Sequence, residues 1–153
     1  MGYELSLKSN IKLQGVHPDL VKIVKLAQSK SPYQIIVVEG LRSIERQKQL
    51  VAAGASKTMN SRHIDGHAVD LVVAIDGNVR WDWPMADKVA ALMKDAAAEL
   101  KIPLEWGGVW DKYMDAYSSP ETETHAYAQR RIALGKKPFI DGPHFQLPFK
   151  EYP

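Results

Sequence analysis

The chain has 153 residues, 45% of them hydrophobic and 25% charged, with a formal net charge of +2 and no cysteine. That length suits one domain with a sizeable core, and the lack of cysteine excludes disulfide frameworks and thiolate metal sites, so any metal must be held by His, Asp and Glu. Scattered lysines and arginines argue against a nucleic-acid partner, and no apolar run reaches the about 20 residues of a membrane span or resembles a signal peptide.

In chain order, "HPDLVKIVKLAQSK" puts Leu20, Ile23, Val24 and Ala27 on one face, with Pro18 suited to the first turn of a helix. "YQIIVVEG" is a short strand-type run closed by Gly40, and "SIERQKQLVAAG" is a helix capped by Ser43 and stopped at Gly54. "GHAVDLVVAIDGNVRW" is β-branched on both sides of an Asp-Gly signal, which predicts a hairpin around Asp76-Gly77-Asn78. The clearest helix follows in "WPMADKVAALMKDAAAELKIP", with Met85, Val89, Leu92, Met93, Ala96 and Leu100 as its stripe, Pro84 at its start and Pro103 beyond its end. "LEWGGVW" reads as a strand entering a glycine bend, residues 118–134 as a capped helix ending at Gly135, and "KPFIDGPHFQLPF" as a final strand-like segment. The expected fold is α+β: a single domain over residues 1–153, with a mainly antiparallel sheet flanked by helices.

Residues 61–70, "SRHIDGHAVD", hold four possible metal ligands in a chain with only five histidines. His63 and His67 have the four-residue spacing of a helical HExxH pair, but Ile64 stands where the Glu would be and Gly66 lies between them. The following residues favour a strand, whose alternation groups Ala68, Asp70 and Val72 on one face and turns His67, Val69, Leu71 and Val73 to the other. Asp70 then sits on a small apolar face, where an unpaired carboxylate is costly and a metal or basic partner resolves the cost. A turn acceptor or salt-bridge partner is the plain alternative for Asp70. Asp65 beside Gly66 reads as turn chemistry, His67 as a packing or surface residue, and His17 as a cap or surface residue. His125 falls within a helix and has no evident acidic partner. His144 is better placed, sharing a face with Gln146 and standing three residues after Asp141 across a Gly-Pro bend. His63, Asp70 and His144, with a fourth position open to water, make a credible catalytic zinc set.

These residues resemble a known pattern. "SRHIDGHAVD" is similar to SxHxxGxAxD at Ser61, His63, Gly66, Ala68 and Asp70, and "DGPH" to the DxxH partner at Asp141 and His144. Together they resemble the zinc peptidoglycan peptidases that include D-alanyl-D-alanine carboxypeptidases and dipeptidases and the L-alanyl-D-glutamate endopeptidases of phage endolysins. "GVHPDLVKIVKLA", "VVEGLRSIERQ" and "LEWGGVW" extend the likeness to the endolysin branch over most of the chain. The resemblance implies the hedgehog and DD-peptidase type of fold and one Zn²⁺ held by His63, Asp70 and His144. It implies that Asp141 activates the attacking water and that Arg42 positions or polarises the substrate, with a helix-start salt bridge as the plain alternative for Arg42. Ser61 corresponds to a motif serine near the site, a substrate-binding position. Two features depart from the endolysin pattern: Val109 stands in "WGGVW" where the relatives commonly carry Asp, whose role is either dispensable here or supplied by Asp111, and residues 112–137 are longer than the usual connector. A helix in that insertion either walls or lids the cleft, or simply packs.

The expected activity is that of an endolysin cutting the L-alanyl-D-glutamate bond of the peptidoglycan stem peptide, with a D-alanyl-D-alanine carboxypeptidase or dipeptidase as the alternative and a silent zinc-binding module of the same fold behind both. The accompanying expectations are a monomer with no separate wall-binding domain and no stable membrane association. It would be made in the bacterial host cytoplasm without a signal peptide and reach the wall after holin-mediated release.

Overall fold

The computed structural model describes residues 4–56 and 58–153. Among these described residues are five helices, α1 (Leu7–Lys12), α2 (Pro18–Lys30), α3 (Ile44–Ala52), α4 (Trp83–Leu100) and α5 (Pro120–Ala133), and five strands, β1 (Gln34–Glu39), β2 (Ala68–Ile75), β3 (Asn78–Arg80), β4 (Glu105–Trp106) and β5 (His144–Gln146). All pairings are antiparallel, in the order β1-β2-β5-β4. β2 is the central strand. One of its edges carries β1, while the other is divided between β5 at Ala68–Asp70 and β3 at Val73–Ile75.

Helices α2 to α5 form where the sequence signals place them. His17 accepts the Asp19 amide through Nδ1 and caps α2, and Ser43 accepts the Arg46 amide to cap α3. The hairpin turns on Asp76 and Gly77, both at positive φ (52° and 79°), as a two-residue turn of matching twist requires. The α2 stripe Leu20, Ile23, Val24 and Ala27 and the α4 stripe Met85, Val89, Met93 and Ala96 meet Val69, Leu71 and Val73 of β2 in one core. Strand alternation therefore turns Asp70 to the sheet's opposite face.

Three features differ from the sequence reading. α1 was not expected: its six residues bury only Ser9, whose hydroxyl accepts the Val37 amide on β1. A single 3₁₀ turn at Met114–Ala116 was not expected either. The final strand is three residues rather than a long run, because Pro143 and Pro148 lack the N–H that a ladder needs. The inserted helix α5 packs through the buried Tyr127, and Arg130 ties it to Asp111 in a bidentate pair (2.8 Å on each arm). No residue of 112–137 lines the main cleft.

Candidate metal centre and cleft

The centre is assembled from three places in the fold. His63 lies in the turn before β2, Asp70 within β2, and His144 at the start of β5, directly opposite Asp70 in register. Gly66 makes the entry turn possible: its φ is +74°, and a side chain there would collide with the Gly15 carbonyl. On the other flank the Asp141 amide donates to the Gly107 carbonyl (2.8 Å), and the Gly107 amide donates to that of His144 (2.8 Å). A Cβ at Gly107 would strike the Asp141 backbone, so the glycine of "WGG" lets the Asp141 loop close against β4.

Asp70 Oδ1 stands 3.3 Å from His63 Nε2 and 3.2 Å from His144 Nδ1, and one ligand atom from each residue falls within 4.8 Å of the others. Tetrahedral zinc bonds of about 2.0–2.1 Å separate ligand atoms by roughly 3.3 Å, the spacing of Asp70 from each histidine. The protons support the same conclusion. His63 Nδ1 lies 2.8 Å from the Gly40 carbonyl, which can only accept, so that nitrogen carries the ring's proton. Nε2, turned towards the Asp70 carboxylate, is then the ring nitrogen placed to serve as a metal ligand. His63, Asp70 and His144 are a group able to hold a metal ion.

Electrostatics reinforce the focus. Burial opposes ionisation of Asp70, but the close approach of the His144 and His63 rings to its oxygen outweighs it and holds the carboxyl far below the usual range. Burial would depress His144, yet the Asp70 carboxylate reverses this and raises it. Asp141 is shifted the other way: burial pushes its carboxyl up, and the charge on Asp70 adds to the effect. Two carboxyls of one cleft are thus driven apart, the pattern of separate ligand and acid–base duties.

A cleft of about 730 Å³ gathers the six residues assigned to the site from the sequence: Arg42, Ser61, His63, Asp70, Asp141 and His144. The Ser61 hydroxyl accepts from the His63 amide (3.2 Å) and from Arg42 Nη1 (3.3 Å). Arg42 is heavily engaged, with Nε and Nη2 donating to the two carboxylate oxygens of Glu39 (2.7 and 2.6 Å) and Nη1 to Gln47 (2.7 Å). The remaining candidates lie elsewhere. His67 packs edge-on against His17 and Tyr152, Asp65 is an exposed turn residue paired with Arg62, and His125 is exposed on α5. Val109 is fully buried in the core, and Asp111 does not replace the missing acid at the cleft because Arg130 holds it.

Glu39, Gln47 and the Trp110–Phe139 pair were not anticipated. Glu39 is the register partner of Asp70, which nothing in its own stretch reveals. Trp110 stacks on Phe139 (6.3 Å between centroids, 20° between planes) and leans on His144 (5.2 Å), giving the cleft an aromatic wall.

Residues 1–147 match the family model described as phage L-alanyl-D-glutamate peptidase. The chain is 30% identical over 129 residues to the L-alanyl-D-glutamate peptidase of Escherichia phage T5, covering 82% of this chain and 94% of that protein. It is 34% identical over 82 residues to the L-alanyl-D-glutamate peptidase of Listeria phage A118, covering 54% of this chain and 28% of that protein. The crystal structure of the Serratia marcescens L-Ala D-Glu endopeptidase ChiX superposes with a TM-score of 0.76 at 38% identity, covering 99% of this chain and 95% of that one.

Proposed function

The chain belongs to the phage L-alanyl-D-glutamate peptidase family, peptidoglycan-cleaving endopeptidases, and on that premise we propose that it cuts the stem peptide as a zinc enzyme through the residues of its central cleft. The observation that carries the reading is the convergence of His63 Nε2, His144 Nδ1 and Asp70 Oδ1 on one point beside Asp141. A zinc ion held there supplies Lewis-acid chemistry, polarising the scissile carbonyl and acidifying water near neutral pH.

The rest falls to the protein's own groups. The Asp141 carboxylate makes no hydrogen bond within the described residues and lines the cleft, so it is available to take the proton of the attacking water and deliver it to the leaving amine of D-glutamate. Its raised proton affinity suits the first of these, taking the water's proton. Arg42 commits four of its five N–H groups to Glu39, Gln47 and Ser61, leaving one on Nη2 for a substrate oxygen or carboxylate. Ser61 holds the His63 turn and Arg42 together, and its hydroxyl proton is free for the peptide. The proposal includes action as a monomer, made in the host cytoplasm and released to the wall by a holin. Among the described residues, no helix is long and apolar enough to cross a membrane.

Incubation with defined muropeptides, followed by mass analysis, tests the reading. The expected products separate L-alanine from D-glutamate. Release of D-alanine with that bond intact would overturn the assigned cut. Asp141→Asn should abolish hydrolysis while zinc content and circular dichroism stay unchanged; full activity in that variant would remove Asp141 from the mechanism.

A further inference from the structure

The two histidines dispose of their second ring nitrogen differently. His63 gives its N–H to a backbone carbonyl, that of Gly40, which no side-chain substitution can remove. His144 Nε2 instead lies 2.8 Å from Gln146 Oε1, the end of a side-chain amide that can be turned either way. With the carbonyl end inward the amide accepts from Nε2–H and leaves Nδ1 as the ligand. With the NH₂ end inward it would oppose that N–H with another donor.

A third residue selects between the two. Glu105 on β4 is the cross-strand partner of Gln146, and its Oε1 accepts from Gln146 Nε2 at 3.5 Å. A carboxylate only accepts, so it draws the NH₂ end to itself and turns the carbonyl end to His144. The row Glu105–Gln146–His144–Asp70 thus crosses β4, β5 and β2 on one face of the sheet: Gln146 Nε2 donates to Glu105, Gln146 Oε1 accepts from His144 Nε2, and His144 Nδ1 is left facing Asp70 as the nitrogen open to a metal. Burial raises the Glu105 carboxyl, opposed by the Gln146 bond and by the charge on Arg62, so its placement carries a cost that an idle surface glutamate would not.

We propose that Gln146, held in its carbonyl-inward orientation by Glu105, is a positioning residue that commits His144 to binding the metal through Nδ1. The inference rests on the reading of His63, Asp70 and His144 as metal ligands. Groups that hold the far nitrogen of a metal-bound imidazole typically contribute about 10–100-fold to metal affinity.

Two readouts test it: zinc affinity by competition with a chromophoric chelator, and ¹⁵N–¹H spectra of the histidine rings in the zinc-loaded protein. The wild type should bind zinc with the His144 Nε2 proton visible and slow to exchange. Gln146→Leu should weaken zinc roughly 10–100-fold and lose that proton to rapid exchange. Glu105→Leu should do the same to a smaller degree, while the His63 Nδ1 proton persists in both as a check on folding. The exchange variant Glu105→Gln/Gln146→Glu puts a carboxylate against Nε2–H and an amide behind it, and should restore both signals. Unchanged affinity and a protected Nε2 proton in Gln146→Leu would overturn the proposal, as would an exchange variant no better than Gln146→Leu. Failure of the wild type to bind zinc would instead remove the metal reading beneath it.

Discussion

Arg42 reaches the cleft already paired, and the pairing sets what its partners contribute. Its side chain is only 8% exposed, while Glu39 takes both Nε and Nη2 and is itself 27% exposed. Glu39→Gln keeps the shape but removes the countercharge, leaving a nearly buried guanidinium underpaired at a cost of about 2 kcal/mol. Thermal unfolding should register this, and kcat/KM on a muropeptide should fall because Arg42 loses its fixed geometry. The hydrogen bond from Arg42 holds the Glu39 carboxyl below its ordinary value, despite opposing burial. A carboxyl with a depressed folded pKa contributes stability that is present above its unfolded value of about 4.3 and is lost as pH falls through the lower folded value. Unfolding temperatures followed from about pH 6 down to about pH 3 should therefore converge for wild type and Glu39→Gln. A constant gap across that window would refute the assignment of the stabilisation to the ionised pair.

At the scale of elements, what periodicity records was legible and what long-range closure decides was not. The stripes of α2 and α4, the Asp76-Gly77 turn and the alternation that separates Asp70 from Val69 and Leu71 are local patterns, and the sequence displays them directly. His63, Asp70 and His144 could be selected because alternation sorts ligands by face and the two motifs pair across the chain. Nothing local marks Glu39 as the neighbour of Asp70, because that contact is a register across β1 and β2 with a bulge between Val37 and Glu39. α1 escaped for a similar reason, since its one buried residue serves a distant strand and no stripe precedes it. The sequence is compatible with the inserted helix as either lid or packing element, and its docking through Tyr127 and the Arg130–Asp111 pair makes it the latter. That pair is partly exposed, so Arg130→Ala should cost only about 0.5–1 kcal/mol and leave kcat/KM unchanged. A large loss of activity would reinstate α5 as part of the cleft. Gly66→Ala is the opposite case. It imposes a side chain at φ +74° against the Gly15 carbonyl, in the turn that delivers His63, and should lower both stability, by about 2 kcal/mol or more, and metal affinity.

For the molecule as a whole, the centre is a closure between distant stretches of chain. Asp70 and His144 are 74 positions apart, so an ion held by both, together with His63, clips β5 and its preceding loop onto the central strand. The paired strands are short there: β5 has three residues and β4 two, so few ladder bonds fix this end of the sheet. An ion that binds only the folded chain stabilises it by RT ln(1 + [L]/Kd), about 2.7 kcal/mol at a hundredfold excess over Kd. For a chain of this size each kcal/mol moves the melting temperature by about 2–4 °C, so zinc at that excess should raise Tm by roughly 5–11 °C over the chelated protein. His144→Ala should erase the difference, since two ligands cannot span the closure. Asp141→Asn should preserve it, because Asp141 lines the cleft without belonging to the ligand group. Scans of the three proteins with zinc and with chelator separate the possibilities: a zinc-dependent shift surviving in His144→Ala would place the stabilising ion elsewhere, and a shift lost in Asp141→Asn would make that residue a ligand rather than the base.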